Sequence, residues 1–187
     1  QVKDVLIFVP SLNTQTAFSN PNAILYINSN IHGKISNLDI NELQLSGLND
    51  TKVNIAGTLK GLPDINTLNA NLTIISLQSS KKDILTFIPA SSPKNITIPD
   101  KFNLSGNIKG NRENFTTQLN LHTNMGDVVI QASGKNITDK VRAAYDAKIE
   151  TSQLDLGTIL QKKDLPGHFT AVFTIKGTGI DKTTANA

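Results

Sequence analysis

Apolar and polar residues alternate along most of this 187-residue chain. The stretch Val141-Arg-Ala-Ala-Tyr-Asp-Ala-Lys-Ile-Glu150 places Val141, Ala143, Tyr145, Ala147 and Ile149 on one side. Arg142, Asp146, Lys148 and Glu150 fall on the other. A period of two marks a strand with one buried face. The same rhythm returns at Leu25/Ile27/Ile31/Ile35, Val53/Ile55/Gly57/Leu59 and Leu68/Ala70/Leu72/Ile74. It continues at Phe102/Leu104/Gly106/Ile108, Phe115/Leu119/Leu121, Val128/Ile130/Ala132 and Phe169/Ala171/Phe173/Ile175. Leu38/Ile40 followed by Leu43/Leu45 shifts phase once, which predicts a β-bulge. No charged residue falls on an apolar side. Turn signals at Gly47-Leu-Asn-Asp50, Gly61-Leu-Pro-Asp64, Gly110-Asn111 and Asn124-Met-Gly-Asp127 separate the strands at short intervals. The prediction is a mostly β chain, nine strands joined as an antiparallel meander.

One octapeptide breaks the rhythm and occurs twice. Lys-Asp-Val-Leu-Ile-Phe-Val-Pro opens at Lys3, and Lys-Asp-Ile-Leu-Thr-Phe-Ile-Pro opens at Lys82. Its apolar residues at 84, 85, 87 and 88 have helical spacing. Ser80-Lys-Lys-Asp83 reads as a capping box, with the Ser80 side chain accepting from first-turn amides and Asp83 favoured by the helix dipole. Pro89 then stops the helix. A fainter third copy, Asp155-Leu-Gly-Thr-Ile-Leu160, follows its own cap signal at Ser152-Gln-Leu-Asp155. Asn30-Ile-His-Gly33, Asn107-Ile-Lys-Gly110 and Ile175-Lys-Gly177 recur in step with these segments. The expectation is short helices between repeats of roughly 75 residues, longer than usual solenoid periods. The units cover about 1–79 and 80–151, with a third starting at 152. All 187 residues then form a single β-groove domain, an internal fragment of a longer protein.

Composition narrows the chemistry. The net charge is +3, from 18 basic and 15 acidic residues with no basic block, and aromatics are only 5%. Nucleic-acid binding needs a basic track and stacking platforms, so it is not expected. The absence of cysteine excludes a disulfide framework, a thiolate metal site and a catalytic thiol. His32, His122 and His168 lie far apart in sequence without a shared motif. Gly177-Thr-Gly179 has no following Lys-Ser/Thr, so it is no phosphate loop. The carboxylates read as solitary, in turns or on outward positions, with no acid/base pair. Asn71-Leu-Thr73, Asn95-Ile-Thr97 and Asn136-Ile-Thr138 have the form of glycosylation acceptors, but alternation on an Asn- and Thr-rich face is expected to produce such triplets by itself. The expectation is a protein that is not an enzyme and uses neither metal nor cofactor. No stretch reaches the roughly 18 apolar residues of a membrane-spanning helix.

The apolar side therefore carries the functional question. Leaving it wet costs tens of kcal/mol, at about 1.5–3 kcal/mol per aliphatic side chain. Three short helices cannot roof nine strands. Either the sheet folds on itself as a closed sandwich, or it curls into a taco-like groove that a lipid or another hydrophobic segment fills. In the groove reading Leu25, Ile27, Ile31, Val53, Ile55, Leu59, Leu72, Ile74, Phe102 and Leu104 line the lipid site. So do Ile108, Leu119, Leu121, Val128, Ile130, Val141, Tyr145, Ile149, Phe173 and Ile175. Gly57, Gly106 and Gly134 ease the coiling such a trough needs.

The chain resembles the TamB/AsmA-like proteins of Gram-negative bacteria, in their Bacteroidetes-type branch. The resemblance rests on the paired octapeptides, on Ile-Ala-Gly-Thr-Leu-Lys-Gly-Leu-Pro-Asp at 55–64, on Leu-Asp-Leu-Gly-Thr-Ile-Leu at 154–160 and on Phe-Thr-Ile-Lys-Gly-Thr-Gly-Ile-Asp at 173–181. It implies an inner-membrane-anchored protein that crosses the periplasm as a long β-groove and serves outer-membrane biogenesis. Its implied partners are phospholipid acyl chains and an outer-membrane barrel protein. Phospholipid transport between the membranes is the first function this implies. Chaperoning, insertion or secretion of β-rich outer-membrane proteins is the second. A closed sandwich acting as an adhesin or glycan-binding module is a third possibility, disfavoured because only Tyr26 and Tyr145 are available as tyrosine platforms and both lie in strands.

Overall fold

Alternation becomes strand nine times, and every strand pairs with its neighbours in sequence. A computed structural model describes residues 1–3, 22, 24–47, 49–64, 66–86, 88, 96–162, 164–165 and 167–180. The strands are β1 (Leu25–Lys34), β2 (Asn37–Gly47), β3 (Thr51–Lys60), β4 (Asn69–Ser80), β5 (Lys101–Asn111), β6 (Phe115–Thr123), β7 (Gly126–Lys135), β8 (Ala144–Asp155) and β9 (His168–Thr178). They form one antiparallel sheet in the order β1 to β9. Two four-residue helices interrupt the meander: α1 (Lys81–Ile84) follows β4, and α2 (Leu156–Ile159) follows β8. The helix expected near residue 4 is described only at Val2 and Lys3, which are helical; the rest of it, and Pro89, the stop expected after α1, lie outside the described residues.

Local chemistry explains the turns. In the β5–β6 turn the Asn111 side chain accepts from the amides of Glu113 (2.9 Å) and Asn114 (2.8 Å), which reverses the chain within three residues. Between β6 and β7 the Thr123 hydroxyl accepts from Met125 N and donates to Gly126 O. Gly126 there adopts φ +111°, a conformation that L side chains rarely take. Between β7 and β8 the Asp139 carboxylate collects the amides of Val141 and Arg142 and the Arg142 guanidinium. Those bonds, the Arg142 amide first, lower its pKa to about 2.

This last turn corrects one reading. Val141 is not a strand residue. It is held by Asp139 in the turn before β8 and is 67% exposed. Ile35 likewise sits in the β1–β2 turn, exposed. The expected bulge is present: Asn30 pairs with Glu42 and Ile31 with Ile40, so Asn41 is the extra residue of β2. Two further bulges occur. Ile75 is extra in β4, and Ser152 and Gln153 of β8 face Thr170 alone.

The capping box is also corrected. Ser80 occupies the N-cap position of α1 but makes no side-chain capping bond, and its buried hydroxyl has no partner. Asp83 turns away from its own helix. It is fully buried and accepts from Asn49 N and Nδ2, Asp50 N and Thr51 Oγ1. The carboxylate thus fastens α1 to the β2–β3 turn. It is neither in a solvated turn nor on an outward position, because a carboxylate with four donors is stable out of water. In α2 the cap is Asp155 itself, accepting from Thr158 N at 2.9 Å.

No second layer is seen among the described residues. Among the described residues the extensive contacts are between adjacent strands and between α1 and β4. Val2, Ile40 and Ala143 alone are fully buried apolar residues in that set. Among the described residues a closed sandwich is thereby replaced by a single open sheet whose outermost strands are β1 and β9.

Candidate functional site

Cross-strand register places the apolar side chains in rows, each crossing all nine strands. One row runs Ile27, Leu45, Val53, Leu77, Leu104, Leu121, Val128, Thr151, Ala171. The next runs Ser29, Leu43, Ile55, Ile74, Gly106, Leu119, Ile130, Ile149, Phe173. A third runs Ile31, Ile40, Gly57, Leu72, Ile108, Thr117, Ala132, Ala147, Ile175. A fourth runs Gly33, Leu38, Leu59, Ala70, Gly110, Phe115, Gly134, Tyr145, Gly177. Leu25 opposite Gly47, and Phe102 between Ser79 and Thr123, belong to a shorter fifth row. Directly opposed residues share a face. Every lining residue anticipated from sequence therefore stands on one face, except Val141.

The bulges keep the rows straight. Each inserts a residue where the apolar alternation slips, so that Leu43, Leu77 and Leu154 return to the same side. Leu77 was not anticipated: strict alternation from Leu72 and Ile74 leads to Ser76. The doublet Ile74-Ile75 is the signal that marks the slip.

No charge stands on this face in any strand. Its central members are half-buried by one another. Towards the edges they are open, with Ile27 at 52%, Phe173 at 46% and Ile175 at 47% exposure. An edge strand has a neighbour on one side only, so its side chains lose half their cover.

The opposite face is hydrophilic. Lys176 lies 3.7 Å from Asp146, Lys148 pairs with Glu150, and Thr73 donates to Asn107 across β4 and β5. Open hollows on the sheet are lined largely by such residues, as across β4–β8 at Asn71, Asn107, Lys109, Gln118 and Gln131. His32 and His122 are on this side, and His122 Nδ1 lies 3.0 Å from Asp127. Among the described residues no three His, Asp or Glu converge as metal ligands would.

One end of the sheet carries both helices. The β2–β3 and β6–β7 turns, α1 and α2 all sit where the even strands finish. Thr97 N donates to Ile159 O at 2.7 Å, tying the segment after α1 to α2, and Asp155 N donates to Met125 O at 2.8 Å. Asp83 and Asp155, at this end, are both ionised more readily than usual. Burial pushes the Asp83 pKa up, but the bonds from Asn49, Asp50 and Thr51 together bring it below the ordinary value. Asp155 is lowered first by the Thr158 amide.

No helix among the described residues is long and apolar enough to cross a membrane. Comparison of the chain with protein-family models, curated proteins and solved structures returned no match.

Proposed function

We propose that this chain is a non-enzymatic groove segment that shields phospholipid acyl chains in transit through the periplasm, as an internal part of an inner-membrane-anchored protein of the TamB/AsmA-like kind. One observation carries the reading: an apolar, charge-free face spans all nine strands and no second layer covers it among the described residues. With strands about 4.8 Å apart and five rows of side chains, that face measures on the order of 1,000 Å². Soluble monomers seldom expose apolar patches beyond roughly 300–600 Å². Taking even half of it out of water is worth about 12 kcal/mol at 25 cal/mol per Å². Hydrocarbon guests supply that cover without needing a polar partner.

In this reading the sheet curls around its guest into the taco-like trough, about 40 Å long across nine strands. Gly57 and Gly106, at φ +132° and +140° within β3 and β5, supply the backbone freedom for coiling. The two runs of four strands, each followed by a short helix, are successive repeats. Chains slide passively, since the lining offers no charged holding point. The second reading, chaperoning or secretion of β-rich outer-membrane proteins with a barrel partner, draws on β1 and β9, the outermost strands of the sheet among the described residues.

Photo-crosslinking separates guest from solvent. A photoreactive side chain at Ile55 or Leu104, on the apolar face, captures phospholipid. The same group at Gln118, exposed on the other face, does not. Asn54 and Asn103, on the same hydrophilic side, are unsuitable as controls because their side-chain oxygens are buried. Equal capture from both faces, or none from Ile55 and Leu104, overturns the proposal.

A further inference from the structure

A hollow of about 620 Å³ crosses β3 to β6 at the helix-bearing end of the sheet. Register puts Lys52 opposite Gln78, Gln78 opposite Asn103 and Asn103 opposite His122, one row on the hydrophilic face. Ser80 opposite Lys101 forms the next row towards α1. All of these residues line the hollow. Phe102 borders it too, but its side chain belongs to a row of the other face.

Charge is unbalanced in this lining. Lys52 and Lys101 form no ion pair among the described residues. In the hollow across β4–β8, by contrast, Lys148 is paired with Glu150. The acids near Lys52 and Lys101 are largely occupied. Asp83 takes its donors from the β2–β3 turn, and Asp127 lies 3.0 Å from His122 Nδ1, leaving Nε2 for the hollow. Among the described residues Asp50 alone brings a carboxylate to the lining. Lys52 and Lys101 stand two strands and two residues apart, a backbone separation of about 12 Å. Two extended lysine side chains can meet across that gap, over β4 between Gln78 and Ser80.

Unmet hydrogen bonds point to the same place. Ser80 is only 8% exposed and its hydroxyl has no partner, and Asn103 Oδ1 has none either. Buried polar atoms are normally satisfied. We propose that this hollow binds the phosphate of a water-soluble phosphomonoester. That group carries a charge of about −1.5 to −2 at pH 7 and three strong acceptor oxygens. Lys52 and Lys101 supply the countercharge, and Ser80, Gln78 and His122 supply neutral donors. A hydroxyl beside the phosphate gives Asn103 Oδ1 the donor it lacks. The strand side chains facing the hollow are polar, so an acyl chain has nothing to lie against, which disfavours a lipid headgroup as the source. This inference goes beyond the lipid reading and stands without it.

Titration of the isotope-labelled chain with glycerol phosphate, followed by amide NMR shifts, tests it. Saturable shifts are expected at Lys52, Ser80, Lys101 and His122, weakened by added salt. Lys52→Gln and Lys101→Gln together weaken binding by about tenfold or more, with the rest of the spectrum unchanged. Lys109→Gln, on the same face outside the hollow, leaves the affinity in place. Glycerol alone gives no shifts at these positions, and vesicles of phosphatidylglycerol do not compete. The absence of saturable shifts, unchanged binding in the double variant, or an equal loss from Lys109→Gln overturns the proposal. So does a chain that ignores glycerol phosphate yet binds phosphatidylglycerol vesicles through Lys52 and Lys101, which would assign the hollow to a lipid headgroup.

Discussion

Gly106 sits in the middle of β5, where a glycine ordinarily weakens a strand. Its φ of +140° and its surroundings make it obligatory, since an added Cβ would lie 2.0 Å from the Gln118 carbonyl oxygen. Gly57 is held the same way against Asn71 O, with φ +132°. Gly134 differs. It lacks the positive φ, and its constraint is the room taken by Ile137 and Phe115, each 2.6 Å from the missing Cβ. Replacing Gly106 with Ala should destabilise the sheet by about 2 kcal/mol or more, read as a lower urea midpoint. Gly167, with nothing within 4 Å of its would-be Cβ, is the matched control. Gly167→Ala should stay within about 0.5 kcal/mol of wild type. Equal effects at the two sites would show that the strand glycines are not conformationally required.

Among the elements, α1 owes its place to a bond that spacing along the chain does not display. Four residues cannot hold a helix by their own hydrogen bonds. Asp83 anchors them to Asn49, Asp50 and Thr51, more than thirty residues earlier in sequence. Asp83→Ala leaves those donors unsatisfied in a buried site and should cost about 3 kcal/mol. The pH dependence follows from the sign of the shift. Because the folded pKa is depressed, the Asp83 contribution is complete above the unfolded carboxylate value near 4 and disappears as pH falls through the lower folded value. Urea midpoints of wild type should therefore fall as the pH drops below about 4, and Asp83→Asn should flatten part of that slope. An identical acid slope in Asp83→Asn would remove the carboxylate from the account. Local patterns were legible where the interaction was local: strands by alternation, the β2 bulge by its phase slip, turns by Asn, Asp and Gly. The Ser80 cap failed because the donor set that competes for α1 lies in another hairpin. Val141 continued an apolar alternation that Asp139 breaks by gathering the amides at 141 and 142.

At the level of the molecule, the one-sided pattern is what makes the sheet consequential. The alternation identified nearly every residue of the apolar face, because side chains in a strand alternate strictly and bulges correct the slips. What alternation leaves open is whether a face that reads as buried is covered by protein. A sandwich and an open sheet have the same alternating pattern, and only the pairing order from β1 to β9 separates them. Here no cover lies over the face among the described residues, and the charge-free rows are the surface that the proposed hydrocarbon guest would meet. Adjacent residues on β6 offer the sharpest contrast: Leu119 lies in the apolar rows and Gln118 on the hydrophilic side. The decisive measurement is saturable binding of a phospholipid carrying a fluorescent acyl chain, followed by its emission, in wild type, Leu119→Lys and Gln118→Lys. A charge set among aliphatic rows must be desolvated when hydrocarbon covers it. The account predicts binding by wild type and Gln118→Lys and a loss of about tenfold or more in affinity for Leu119→Lys. No binding by wild type, or equal binding by the two lysine variants, would contradict it.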